Sequence, residues 1–331
     1  MLHRREFIQY SALGALYPIV AGCQQPVRWR PEAFRKKNLS RVAVLAAKAY
    51  DLPLKDIIAR GIKLCNLEVK GKKILLKPNL VEFDPKGVIN THPAVIEAAI
   101  DSFRSLGAAQ VIVAEGPGHR RDNEYLLSAS GLYDVIKEHR VRYVDLNSDD
   151  VRATPLRSSF THLQQLYLPE NLYNADLLVS VPKLKTHHWA GVTLSLKNMF
   201  GVVPGTVYGW PKNILHWQGI HESILDINSS LPLPQFAIID GIVGMEGNGP
   251  LQGQAKASGV LIFGDDLVAV DATAARVMQI DPQKIKYLAN AGAFLGNLAD
   301  DRIEQVGERI DQVQQDFRVI DEFKDLKIFT R

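Results

Sequence analysis

Seven short apolar runs, none of them alternating with polar residues, constrain this chain more than any other feature. They cover residues 41–47, 73–77, 110–115, 141–145, 176–181, 236–240 and 259–263, and are rich in Val, Ile and Leu. A strand with one wet face alternates apolar and polar residues. A continuous run needs cover on both faces, and so predicts a buried, parallel sheet with helices outside it. Amphipathic stretches lie between the runs, at 54–67, 92–106 (with Thr91 as a candidate N-cap), 214–230, 267–279 and 282–291, and a broken helical pattern spans 123–139. The expected fold is α/β, a mostly parallel sheet with helices on both faces in three layers, formed by residues 41–298. Residues 299–331 extend the same domain.

The first residues have a different character. Met1-Leu-His-Arg4-Arg5-Glu-Phe7 is followed by an apolar stretch over 10–20 and then by Ala21-Gly22-Cys23. A basic start, a short apolar stretch and small residues before a cleavage point make a secretory signal, too short to span a bilayer, which takes roughly 20 apolar residues. Paired arginines before Glu-Phe-Ile resemble the twin-arginine export signal, and Val20-Ala-Gly-Cys23 resembles the lipobox, whose cysteine carries the lipid. Residues 1–23 are therefore expected to be a lipoprotein signal and 24–40, rich in Pro, Arg and Lys, a tether. The expected location is the periplasmic side of a membrane, anchored through Cys23. The twin-arginine export machinery would be the partner in transit.

Charge and cysteine content narrow the function classes. Net charge is +3 for the whole chain, which gives no ground for a nucleic-acid partner. With Cys23 lipidated, Cys65 is left alone, so the chain holds neither an internal disulfide nor a cysteine-ligated iron–sulfur cluster. Cys65, in an amphipathic stretch, reads as a small buried hydrophobe.

Ligands of doubly wound sheets bind outside the carboxyl ends of the strands, and the polar residues of this sequence gather there. The second run leads into Lys77-Pro-Asn79, and the third ends in Glu115-Gly-Pro-Gly-His119. The run at 176–181 leads into Pro-Lys183-Leu-Lys185-Thr-His187-His188. The run at 236–240 ends in Asp240-Gly, with Glu246 just beyond. Lys183 and Lys185, two apart in extended backbone, would face the same way. Thr193 and Lys197 would lie one helical turn apart. Lys77, Lys183, Lys185 and Lys197, with Asn79, Thr193 and Asn198 as hydrogen-bonding groups, suit a small anionic ligand. Glu115 and Asp240, with Lys183 and Lys197, are the candidate catalytic groups. Glu115, Asp240 and Glu246, joined by His119 and His187, are a candidate ligand set for a divalent metal. Trp189, Trp210, Trp217 and Tyr208 flank the glycine-rich stretch 201–211 as a candidate apolar wall. On this reading, Lys→Met at Lys183 or Lys197 removes ligand binding without loss of stability.

Four blocks in order carry a family likeness: Lys77-Pro-Asn; Pro-Lys-Leu-Lys-Thr-His; Thr193-Leu-Ser-Leu-Lys-Asn-Met-Phe-Gly201; and Asp240-Gly with Gly-Asn-Gly-Pro250. Asp265 and Val-Ala-Val-Asp271-Ala-Thr-Ala follow. Together they resemble the domain-of-unknown-function family 362 over roughly residues 41–298. Many members of that family add a ferredoxin-like cysteine module, and this chain has no such cysteines. The resemblance thus implies the fold and the site. The leading expectation is an enzyme, or enzyme-derived domain, acting on a small anionic metabolite outside the cytoplasm. A non-catalytic lipoprotein that binds a ligand or acts as a scaffold through the same pocket is the alternative.

Overall fold

The computed structural model describes residues 27–118 and 122–328. The strands are β1 (Ser40–Ala46), β2 (Lys73–Pro78), β3 (Gln110–Glu115), β4 (Arg142–Asp145), β5 (Val151–Pro155), β6 (Gln165–Pro169), β7 (Leu177–Val181), β8 (Lys183–His187), β9 (Gly191–Thr193), β10 (Gln235–Glu246), β11 (Gln254–Gly264) and β12 (Ile303–Gly307). Eight form the path β12-β1-β11-β10-β7-β2-β3-β4, with β8 paired to β10 and to β9, while β5 and β6 make a separate hairpin. Among the described strands of the path, β11 alone runs against its neighbours. The fold is α/β with a mostly parallel sheet.

Each continuous apolar run splits its side chains between two cores. In β2, Leu75 faces one and Ile74 and Leu76 the other; in β3, Ile112 and Ala114 oppose Val111 and Val113. The helices Leu54–Leu64 and Pro93–Ser105 cover one face through Ile58, Ile62, Ile96 and Phe103. Helices Ile220–Ser230, Leu267–Val277 and Lys286–Phe294 cover the other through Ile224, Val270 and Leu288. This two-sided burial is the physical reason the runs lack alternation. Cys65 packs into the first core, where burial pushes its thiol up to about 12.

Several boundaries differ from expectation. The N-cap of Pro93–Ser105 is His92, whose ring nitrogen accepts from Ala94 N–H; Thr91 instead braces Asn79 N–H and the Val181 carbonyl. The stretch 214–230 divides into Asn213–Trp217 and Ile220–Ser230 at Gly219, whose φ of 98° breaks the helix. The run expected to end at Asp240 continues to Glu246, because β8 and β11 supply partners on both sides. Residues from 27 onward do not form a free tether. Trp29 stacks on Phe294 at 4.6 Å and on Phe160 at 6.0 Å, and the Arg157 guanidinium lies 4.7 Å from the Phe34 ring. Aromatic burial outweighs the basic, proline-rich composition that suggested a linker. The signal, Cys23, His119 and the last three residues lie outside the described residues.

The strand order also locates a crevice. The chain steps outward from β2 to β3 to β4, then returns to β7 on the other side of β2. The sheet reverses its winding between β2 and β7, the position at which open α/β sheets bind ligands.

Candidate functional site

At that reversal the carboxyl ends of β2 and β3 present a buried ion pair. Lys77 Nζ lies 2.7 Å from the Glu115 carboxylate, and each side chain is 1% exposed. Lys77 also donates to the Pro78 carbonyl at 2.9 Å and to Asn198 Oδ1 at 3.1 Å, while Glu115 accepts from Leu80 N–H (3.0 Å) and Gly116 N–H (2.9 Å). A buried pair tolerates desolvation only when its remaining valences are filled in this way. Burial draws the Lys77 pKa down, and the facing Glu115 opposes that shift. Space for the pair comes from Gly201: a Cβ there would lie 2.2 Å from Glu115 Oε1 and 2.6 Å from Lys77 Nζ.

The pair forms the floor of a cleft of about 230 Å³ that three more lysines enter. Lys185, on β8 opposite Thr193 of β9, donates to the Ile89 carbonyl at 2.8 Å. Burial first, and then the charges of Lys197 and Lys183, hold its pKa well below the usual lysine range. Lys197 belongs to the short helical turn Ser195–Asn198, whose first N–H groups bond to the buried Asp271 carboxylate, Ser195 at 2.8 Å and Leu196 at 3.0 Å. This is N-terminal capping by a carboxylate from a distant helix. Lys197 Nζ sits 4.2 Å from the centre of the Phe200 ring and has no hydrogen bond or ion pair among the described residues. Burial and the charge of Lys77 lower its pKa to about 7. Lys212 donates to the Val203 carbonyl at 2.5 Å and to Asn147 Oδ1, and burial brings its pKa to about 7 as well.

Three histidines line the same cleft, and their hydrogen-bond partners set their tautomers. His187 Nδ1 accepts from Trp189 N–H (3.0 Å) and Ala190 N–H (3.2 Å), leaving its proton on Nε2. His216 Nδ1 donates to the Lys212 carbonyl at 3.1 Å, so its neutral ring presents a bare Nε2, and His188 Nδ1 donates to the Gly249 carbonyl at 2.7 Å. Burial lowers the pKa of His187 and His216, helped by Lys197, and keeps both rings neutral. Leu80, Val81, Phe200, Pro211, Pro250 and Leu251 supply apolar wall, and Trp189, 58% exposed, stands at the rim. Asn79 Oδ1 and Thr193 Oγ1 also face the cleft, buried and without a hydrogen-bond partner among the described residues.

Lys77, Asn79, Glu115, Lys185, Thr193, Lys197 and Asn198 thus line one cleft. Other expectations fail on geometry. Lys183 and Asp240 pair with each other at 2.6 Å beside a second, 190 Å³ pocket, where Tyr50 bridges them and stacks on His92. Ile89 lines that pocket while its carbonyl holds Lys185, so the backbone around it separates two lysines of one strand. Glu246 is bound by Arg318 at 2.8 Å, away from both. Glu115, Asp240 and Glu246 are each neutralised by a different cation and do not converge as metal ligands; no cluster of three or more His, Cys, Asp or Glu suited to a metal occurs among the described residues. Asn198 is spent on Lys77 and Ser180, so it braces the floor and leaves no donor for a ligand. Thr193 lies on a strand, not on a helix with Lys197. Trp217 is 79% exposed outside the cleft, and Tyr208 is buried without lining it. Lys212, His188, His216 and Asn147 were missed. Lys212 was hidden by a loop-like context and His216 lay inside an expected helical stretch with nothing to mark it; the alternation of Lys185, His187 and Thr193 along β8 and β9 was the available hint for this wall.

The fold and these motifs define a three-layer α/β domain with a lysine-lined cleft at the sheet reversal. The chain belongs to the family described as Domain of unknown function (DUF362), whose model matches residues 74–276. It is similar to the thylakoid-associated protein sll1697 of Synechocystis sp., with 29% identity over 237 residues that cover 68% of each protein. The lactate racemase apoprotein of Thermoanaerobacterium thermosaccharolyticum is a distant structural likeness, with a TM-score of 0.45 and 14% identity over 76% of this chain. This chain spans 58% of that structure's length.

Proposed function

We propose that the cleft binds a small anionic metabolite, a carboxylate or phosphate, and that the domain is an enzyme or derived from one. One observation carries the reading: Lys185, Lys197 and Lys212 face a cleft whose lining, among the described residues, contains a single carboxylate, Glu115, and Lys77 already neutralises it. Gathered lysines without counter-charges repel, and a bound anion relieves that repulsion. A group titrating near pH 7 in an apolar cleft is suited to proton transfer. Lys197 and Lys212, both near 7, meet that requirement beside the bare Nε2 of His216. In this reading the protein works on the periplasmic side of a membrane, held by lipid on Cys23.

Calorimetric titration with inorganic phosphate and with acetate tests the proposal. Saturable binding at one site, weakened at least about tenfold by Lys212→Met, is expected, a loss on the order of 1.4 kcal/mol. Absence of binding to both anions overturns it. Binding without any turnover of carboxylate or phosphate substrates would favour the ligand-capturing lipoprotein over the enzyme.

A further inference from the structure

We infer that Lys197 is a nucleophile that forms a Schiff base with a small 2-oxo acid in this cleft. This deepens the anion-binding reading and rests on it. The observation is a difference among four lysines. Lys77 is held by Glu115, Lys185 by the Ile89 carbonyl, and Lys212 by the Val203 carbonyl and Asn147. Lys197 alone of the four has no hydrogen bond or ion pair among the described residues. Its stem is packed beside Phe200, and Asp271 fixes the turn that carries it. The anchored lysines can bind a carboxylate but are poorly free to attack; the unanchored one is free to attack a carbonyl next to that carboxylate. Cationic neighbours and burial leave a share of its amine unprotonated near neutrality, the condition for lysine nucleophilicity.

The step balances with groups at hand. The Nζ lone pair adds to the carbonyl carbon as the carbon–oxygen π bond breaks, giving a carbinolamine. The carbonyl oxygen then leaves as water, and a protonated imine remains on Lys197. One of the two protons in that water comes from Nζ, relayed by the bare Nε2 of His216, whose ring centre is 5.2 Å from that of Phe200. The other comes from solvent. No oxidant or reductant is needed.

Pyruvate with sodium cyanoborohydride, added to the full chain, tests the assignment by reducing any imine to a stable secondary amine. Peptide mass spectrometry is expected to find a reduced pyruvyl group on Lys197, with acetone giving none because it lacks the carboxylate. Phosphate should compete with the labelling. Lys197→Arg keeps the charge but cannot form the imine, so it should lose the label while its circular dichroism spectrum shows the fold retained. Labelling of Lys185 or Lys212 instead, or equal labelling by acetone, overturns the assignment. If phosphate binds but pyruvate leaves Lys197 unmodified, the Schiff-base inference fails and anion binding stands. If neither anion binds, the underlying reading is what has failed.

Discussion

Lys183 Nζ and Asp240 Oδ2 lie 2.6 Å apart with neither side chain more than 2% exposed, and Tyr50 donates its hydroxyl to the same carboxylate at 3.1 Å. Asp240 also accepts from His92 N–H at 3.0 Å, tying β10 to the start of the Pro93–Ser105 helix. This pair is a structural joint, so Lys183→Met strands a buried carboxylate. The expected cost is about 3–5 kcal/mol, the range for breaking a buried pair from one side. Urea denaturation of the variant measures it. A loss below about 1 kcal/mol would mean that Asp240 finds another partner.

Lys197→Met should behave in the opposite way, because no carboxylate among the described residues pairs with Lys197. Deleting a charge that neighbouring lysines repel, while keeping the apolar stem against Phe200, should leave stability unchanged or raise it by up to about 1 kcal/mol. Phosphate binding should weaken in the same variant. Loss of stability with binding retained would show that the lysine cluster is structural.

These two lysines also show what the sequence could and could not reveal. The apolar runs identified the buried sheet because double-sided burial leaves a mark on every residue of a strand. Strand ends pointed to Lys77 and Glu115 for the same reason: the charge begins where the apolar run stops. Pairing left no such mark. Lys183 and Lys185 share a strand, and only the path of the backbone near Ile89 sends one to Asp240 and the other into the cleft. Asp240 looked like a strand terminus because glycine follows it, yet β10 runs six residues further. Lys212, at φ 66° in a stretch resembling a loop, gave no periodic signal at all.

Gly201→Ala should damage the cleft floor without touching any charged residue. A Cβ at 2.2 Å from Glu115 Oε1 cannot be accommodated unless Gly201 moves or the Lys77–Glu115 pair opens. Disturbing a buried pair or overpacking its surroundings costs about 1–3 kcal/mol, and the lysine geometry should be lost with it. Denaturation and phosphate titration on the same variant test this; wild-type values in both would show that the backbone around Gly201 yields freely.

Membrane attachment is tested at Cys23. If the proposed lipid on Cys23 is what anchors the protein, Cys23→Ser should shift it from the membrane fraction to an uncleaved or soluble exported form, and unchanged anchoring would rule out lipidation there. Replacing Arg4 and Arg5 by Lys should block export by the twin-arginine route, whereas continued export would indicate the general secretory route.

The pH dependence follows from the lowered lysine pKa values. Lys197 has a pKa of about 7 when folded and about 10.4 in an unfolded chain. Between these values the unfolded state binds more protons, so stability rises with pH by linkage. Below pH 7 both states are protonated and the full penalty of the buried charge remains; above about 10.4 it has gone. Other titrating groups superimpose their own slopes, and the difference between wild type and Lys197→Met removes them. That difference should move in favour of the wild type as pH rises from 7 to 10. A bound anion favours the charged lysine, so adding phosphate should flatten the trend, and phosphate affinity should itself fall as pH rises above 7. Denaturation curves of both proteins at successive pH values, with and without phosphate, provide the measurement. A difference independent of pH would mean that Lys197 keeps an ordinary ammonium in the folded protein, and its place as the neutral amine of the cleft would be lost.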